Sequence, residues 1–279
     1  MSAYLFTLAF LIMFVVTPLF SQNHWDDYIA EKNIGSTYHL FGDNVNLRES
    51  GSLNGKVKKQ LNLGQSVKIL SKTNQILEQN SVKEYWYEVE SGEDKGYLWG
   101  GFISDYSFPL KDTQVLCKNL GVKIRKLELK IIRDSKLLSQ ASLEVGPMSN
   151  ETWDHTIYNE KLFSPSPRAL FAIKNLIFSE IEYGYTNEQI FTLDQNYKIQ
   201  PQFSWNPGAC DPPACSETWL VFPKETLPED QKLMRKRTKG KDNTILELMH
   251  SFDIEEPNQH DYYQSEYNWN GHIFQKKEN

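Results

Sequence analysis

Few residues in this chain could do covalent or metal chemistry: three cysteines and six histidines among 279 residues. A nucleophilic cysteine needs a base beside it, so Cys117 would have to be matched with His155 or His250. Its setting, "VLCKNLG", reads as strand rather than as the start of a helix, and a buried free thiol is the expectation. His24, His39, His155, His250, His260 and His272 are scattered, and none of the H-E-x-x-H, G-x-S-x-G or G-x-x-x-x-G-K-[ST] patterns occurs. Cys210 and Cys215 bracket "DPPA" and most simply form a disulfide. Zinc on that pair would need two further ligands, and no second pair exists. Closing so short a loop stabilises by only about 2 kcal/mol, so the disulfide would shape a loop. The acidic residues Asp253, Glu255, Glu256 and Asp261 lack the spaced Asp/Asn-Gly loop of calcium sites. No metal or cofactor is expected, and the chain reads as non-enzymatic.

Composition bounds the elements that hold these residues. Hydrophobic residues make up 39% and aromatic residues 13%, which fits a soluble, strand-rich protein of two domains plus appendages. The net charge of −6 argues against nucleic acid as a partner. No Lys, Arg, Asp or Glu stands between Met1 and His24, and Tyr4–Phe20 is almost wholly apolar. Residues 1–21 read as a secretory signal peptide; the competing reading is an uncleaved membrane anchor, which would be the chain's one membrane contact. Both place the body of the protein outside the cytoplasm, in the periplasm or at the cell surface.

From Asp43 to Ser104 short alternating runs dominate. Val45 and Leu47 alternate with Asn46 and Arg48, Val67 and Ile69 precede a longer polar segment, and Tyr85, Tyr87 and Val89 alternate with Trp86, Glu88 and Glu90. "SGED" is turn chemistry, and "GYLWGGFI" is a return strand ending on a glycine pair. Several short strands separated by Gly-rich loops make a small β-barrel. Val45, Leu47, Val67, Ile69, Val89, Leu98 and Ile103 are its expected filling. Trp86, Tyr97 and Trp99, with Tyr85 beside them, are expected at the surface within reach of Asn46 and Arg48. An aromatic shelf beside polar groups suits sugar rings or peptide stems.

The order N-V-N-L-R, L-x-x-G-x-x-V-x-I, W-Y-x-V and G-Y-L-W-G-G-F-I resembles the bacterial SH3-like domain over about residues 37–105. Tyr97 stands where that family more often has Trp, and "NQILEQNSVKE" (Asn74–Glu84) exceeds its minimal loop. The resemblance implies binding of peptidoglycan glycan or peptide, or of an envelope protein. The competing reading is a spacer whose aromatics merely cap a small barrel. Because such modules accompany wall hydrolases, a hydrolase or amidase with an unrecognised site in residues 110–279 is the alternative function.

The expected fold is therefore mostly β: an SH3-like barrel within residues 22–108, then a larger antiparallel β domain over residues 109–279. In "VKIRKLELKII" the apolar parity changes near Arg125–Lys126, which calls for a bulge or short turn. Its polar face, with Lys123, Arg125, Lys126, Glu128 and Lys130, reads as solvated. "KLLSQASLEV" fits helix or strand equally. "NPGACDPPAC" would be a hairpin tip between "YKIQPQFSW" and "SETWLVFPK". Asn270-Gly271 signals a two-residue hairpin turn. Six basic residues between Lys232 and Lys241 read as a flexible solvated loop. The stretches "FPKE", "GKDNTI" and "YNWNGHIF" resemble uncharacterised secreted bacterial proteins, a likeness that implies no activity.

Overall fold

The structure is a computed structural model that describes residues 29–121, 123–145, 148–177, 185–227, 239–256 and 258–277. The leader or anchor expected at residues 1–21 and most of the basic run lie outside the described residues. The fold is nearly all β, as the alternation and the aromatic content require.

The first sheet holds six strands: β1 (Thr37–His39), β2 (Val45–Arg48), β3 (Val57–Leu61), β4 (Ser66–Gln79), β5 (Val82–Ser91) and β6 (Asp94–Trp99), ordered β1-β4-β5-β6-β2-β3. A bridge from Leu40 to Ile103 ties the chain just after β1 to the chain just after β6. Every residue expected to fill the barrel does so, joined by Leu40, Leu61 and Tyr87. The long segment Asn74–Glu84 is no loop. It extends β4 and β5 into a ribbon whose turn residues, Asn80 and Ser81, both have left-handed φ (53° and 64°), as a two-residue primed turn requires.

Three further sheets follow. The second runs β10-β9-β8-β7, from β7 (Tyr106–Leu110), β8 (Thr113–Asn119), β9 (Lys126–Arg133) and β10 (Lys136–Glu144). The change of parity near Arg125 is a turn, in which Arg125 has φ 52° and its N–H donates to Gly121 O at 3.0 Å. The third runs in sequence order through β11 (Met148–Tyr158), β12 (Ala169–Ile177), β13 (Tyr185–Leu193) and β14 (Ile199–Trp205). The fourth is likewise sequential: β15 (Gly208–Asp211), β16 (Ala214–Val221), β17 (Thr244–Asp253), β18 (His260–Trp269) and β19 (Phe274–Lys277).

These three sheets stack as layers around two cores. Phe108, Val115, Leu129 and Ile131 of the second sheet pack on Phe171, Ile173, Phe191 and Leu193 of the third. The other face of the third sheet, through Leu170, Ala172 and Ile190, packs on Phe222, Ile245, Tyr267 and Phe274. A strand covered on both sides has no wet face, so "ALFAI" (Ala169–Ile173) is apolar without alternation. Cys210 and Cys215 are paired across β15 and β16 and form the disulfide. The hairpin they pin is β15–β16, because β14 belongs to the neighbouring sheet. The C-terminal hairpin forms, but with four loop residues. Trp269 pairs with Phe274, and the Asn270 carboxamide oxygen accepts the N–H groups of His272 and Ile273, both at 2.9 Å. That side-chain capping holds the wider loop in place of a two-residue turn.

The barrel is docked on the second sheet. Phe41 and Leu63 meet Leu116 and Ile132, and Lys130 donates to Phe41 O at 2.8 Å with its ammonium 4.2 Å from the Phe41 ring centre. The sheet face expected to be solvated is, at Lys130, part of this joint. Gly64 has φ +76° and approaches so closely that a Cβ there would stand 2.3 Å from Ile132 Cδ1. Beside this apolar contact four charged groups are sealed together. Lys32 Nζ lies 2.5 Å from Asp105 Oδ1 and 3.6 Å from Glu84 Oε1; Lys118 Nζ lies 2.6 Å from Glu84 Oε1 and 3.1 Å from Asp105 Oδ1. Lys32 precedes the barrel, Glu84 is on β5, Asp105 follows the barrel and Lys118 is on β8. The cluster ties the entrance, the ribbon and the exit of the barrel to the next sheet.

Candidate functional site

The expected site residues share one face of the first sheet. Arg48 stands opposite Tyr97, Tyr97 opposite Glu88, and Glu88 opposite Ser71, so these four make one row across β2, β6, β5 and β4. Trp86 and Trp99 pair directly in the neighbouring row. Asn46 lies two residues from Arg48 and accepts from Gln60 Nε2 at 3.2 Å. Strand alternation thus assigns the face correctly.

Exposure is another matter. Trp86 is 4% and Trp99 5% exposed, so neither indole belongs to a surface shelf. The ribbon extension covers them. Trp99 Nε1 donates to the carbonyls of Leu77 (3.1 Å) and Glu84 (3.3 Å), and its ring lies edge-on to Phe102 at 5.2 Å. A Cβ on Gly101 would strike the Trp99 ring at 2.3 Å, so glycine is required there. Over Trp86, Gly51 approaches so that a Cβ would stand 3.1 Å from Trp86 Cβ and 3.3 Å from Gln75 Oε1. The polar segment longer than the family's minimal loop was the signal of this cover. Tyr85 is half-buried on the inner face, with Lys72 Nζ 4.4 Å from its ring centre.

A polar strip therefore remains: Arg48, Tyr97 and Glu88 in one row with Asn46 beside it, all half-buried. Arg48 Nη1 donates to Gly55 O at 2.7 Å, which holds the loop after β2 and uses one of the five guanidinium N–H groups. Glu88 Oε2 accepts from Ser71 Oγ at 3.0 Å. The row presents a cation, a phenol and a carboxylate side by side, which suits a short ligand carrying both charges and amide groups.

Elsewhere the fold gathers residues that sequence left apart. Tyr106 OH pairs with His155 Nδ1 at 2.7 Å, and His155 stacks on Phe108 at 4.1 Å. His250 Nε2 lies 2.9 Å from His260 Nδ1, with the Tyr262 ring stacked on His250 at 4.6 Å. Such pairs depend on strand register and carry no local sequence signal. Cys117 is buried in the core, and burial pushes its thiol far above the ordinary range, away from the thiolate a nucleophile needs. Among the described residues no group of three or more His, Cys, Asp or Glu side chains could hold a metal ion. A cleft of about 270 Å3 opens between the third and fourth sheets, lined by Asp194, Asn196, Lys198, Gln200, Trp269 and His272.

The curled first sheet and the order of its strands define a small SH3-like half-barrel. Residues 43–104 match the bacterial SH3 domain family, so the chain carries a bacterial SH3 domain in that segment. No curated protein and no solved structure matches the chain.

Proposed function

We propose that this is an exported, non-catalytic protein of the bacterial envelope whose SH3 domain binds the peptide part of peptidoglycan. The family match supports envelope-related binding, since bacterial SH3 domains are commonly cell-wall binding modules. The disulfide between Cys210 and Cys215 is compatible with an extracytoplasmic location.

The observation that carries the choice of ligand is the row Arg48–Tyr97–Glu88. With both indoles covered, stacking on sugar rings loses its platform. What stays accessible is a cation and an anion on either side of one phenol ring. A wall stem peptide offers carboxylate, amine and amide groups that match these in type.

Retention on purified sacculi tests this reading. Arg48→Ala and Tyr97→Ala, each checked for an unchanged thermal transition, are expected to lower retention several-fold. Soluble stem peptide should compete, and peptide-free glycan strands should not. Undiminished retention of the double variant would remove the assignment.

A further inference from the structure

Four charges buried together are an expensive arrangement, even when they balance. In the cluster at the barrel exit, the side chains of Lys32, Asp105 and Lys118 are at most 3% exposed and that of Glu84 is 7% exposed. Glu84 Oε2 is buried and has no hydrogen-bond partner. The cluster also has the parts of a condensation site. The Lys32 nitrogen is held 2.5 Å from the Asp105 carboxyl, which is also gripped by Lys118 on Oδ1 at 3.1 Å and by the Asn119 N–H on Oδ2 at 2.6 Å.

We propose that Lys32 and Asp105 form an intramolecular isopeptide bond, with Glu84 carrying the proton. Lys32 Nζ attacks Asp105 Cγ, so an N–C bond forms and the Cγ–Oδ1 bond breaks. Of the three ammonium protons one stays on the amide nitrogen, and two leave with Oδ1 as water. Glu84, whose Oε1 lies 3.6 Å from Lys32 Nζ, takes a proton from the nitrogen and returns it to the departing oxygen. Lys118 and the Asn119 N–H face the two oxygens of the tetrahedral intermediate and stabilise its charge. Oδ2 remains as the amide oxygen and keeps its bond from Asn119. No oxidant, metal or nucleotide enters the balance.

The product explains why the cluster holds four groups. Condensation removes one cation and one anion, and leaves Lys118 and Glu84 paired at 2.6 Å. In the precursor, burial works against both Lys32 and Asp105 as ions. The carboxylates of Asp105 and Glu84 outweigh it at Lys32 and hold the ammonium above its ordinary range. Lys118 and Lys32 likewise hold Asp105 below the ordinary carboxylate range. The neutral pair that reacts is therefore a minor population, which a single turnover per molecule tolerates. The bond would close a covalent ring from residue 32 to residue 105, around the whole barrel.

Peptide mapping of the purified full-length protein after disulfide reduction tests the assignment. The expected result is a branched peptide joining Lys32 to Asp105, lighter than its two parts by one water, with no tryptic cleavage after Lys32. Lys32→Arg and Glu84→Gln, if folded by circular dichroism, should yield the separate unmodified peptides. Unmodified Lys32 and Asp105 peptides from folded wild-type protein would overturn the proposal, as would a water loss mapped to another pair. A cross-link that persists in Glu84→Gln would overturn the role of Glu84.

Discussion

Trp99 donates its indole N–H to the main-chain carbonyl of Leu77 at 3.1 Å, from the barrel's closing strand to the ribbon that extends from it. That bond turns a side chain on the outer face into an interior one. Trp99→Ala is therefore a cavity mutation and is expected to cost about 3–5 kcal/mol in denaturant unfolding. Trp99→Phe keeps most of the apolar volume and should lose far less. A substitution to Ala that is neutral for stability would show that the ribbon does not cover the ring in solution.

The charge cluster predicts a second effect. Lys118→Met leaves the Glu84 carboxylate without the ammonium held 2.6 Å from it in a buried site, and is expected to destabilise by about 3–5 kcal/mol. Adding Glu84→Gln removes that unpaired charge, so among molecules without the Lys32–Asp105 bond the double variant should be more stable than Lys118→Met alone. A double-mutant cycle in urea reads the coupling directly.

Docking of the barrel on the second sheet rests on a close approach at Gly64. Gly64→Ala both strains a left-handed φ of +76° and drives a methyl group to within 2.3 Å of Ile132 Cδ1. A loss of about 1–3 kcal/mol is expected from the two effects together. Ile132→Val in the same chain should recover part of it. Full additivity of the two changes would separate the domains energetically.

His39 gives the pH dependence. Burial holds its pKa below the ordinary 6.5, and its Nδ1 pairs with Ser107 Oγ at 2.8 Å. The unfolded chain then takes up a proton that the folded chain resists. Stability is full above the ordinary value and is lost as pH falls from there through the folded value. Thermal melts between neutral and mildly acidic pH should show a falling Tm for the wild type and a flatter profile for His39→Gln.

Reduction of the Cys210–Cys215 disulfide should lower stability by no more than about 2 kcal/mol, since the loop it closes is short. Proteolysis after reduction should cut first at the tip between β15 and β16. Global unfolding on reduction would contradict that local role.

Local patterns carried much of this. The alternation of Val45 and Leu47, of Val67 and Ile69, and the run into Leu98 and Ile103 named the barrel filling, because a strand must send every second side chain inward. The same rule put Arg48, Tyr97, Trp86 and Trp99 on the opposite face. It is silent on what lies above that face. Asn74–Glu84 reads as a polar segment, yet its two halves pair through a turn at Asn80 and Ser81, and only that pairing brings the Leu77 and Glu84 carbonyls over Trp99. β17 left no clear expectation, although "TILEL" (Thr244–Leu248) lies in the middle of the last sheet.

Sequence by itself determined the strand-rich class, the SH3-like barrel, its inner residues and the disulfide, since periodicity and short-range spacing are local properties of the chain. Tertiary structure alone decided which aromatic rings see solvent and how three sheets share two cores. It also brought Lys32, Glu84, Asp105 and Lys118 together in one buried cluster. Burial and long-range pairing depend on what covers a residue, and the covering segments lie tens of residues away with no mark of their destination.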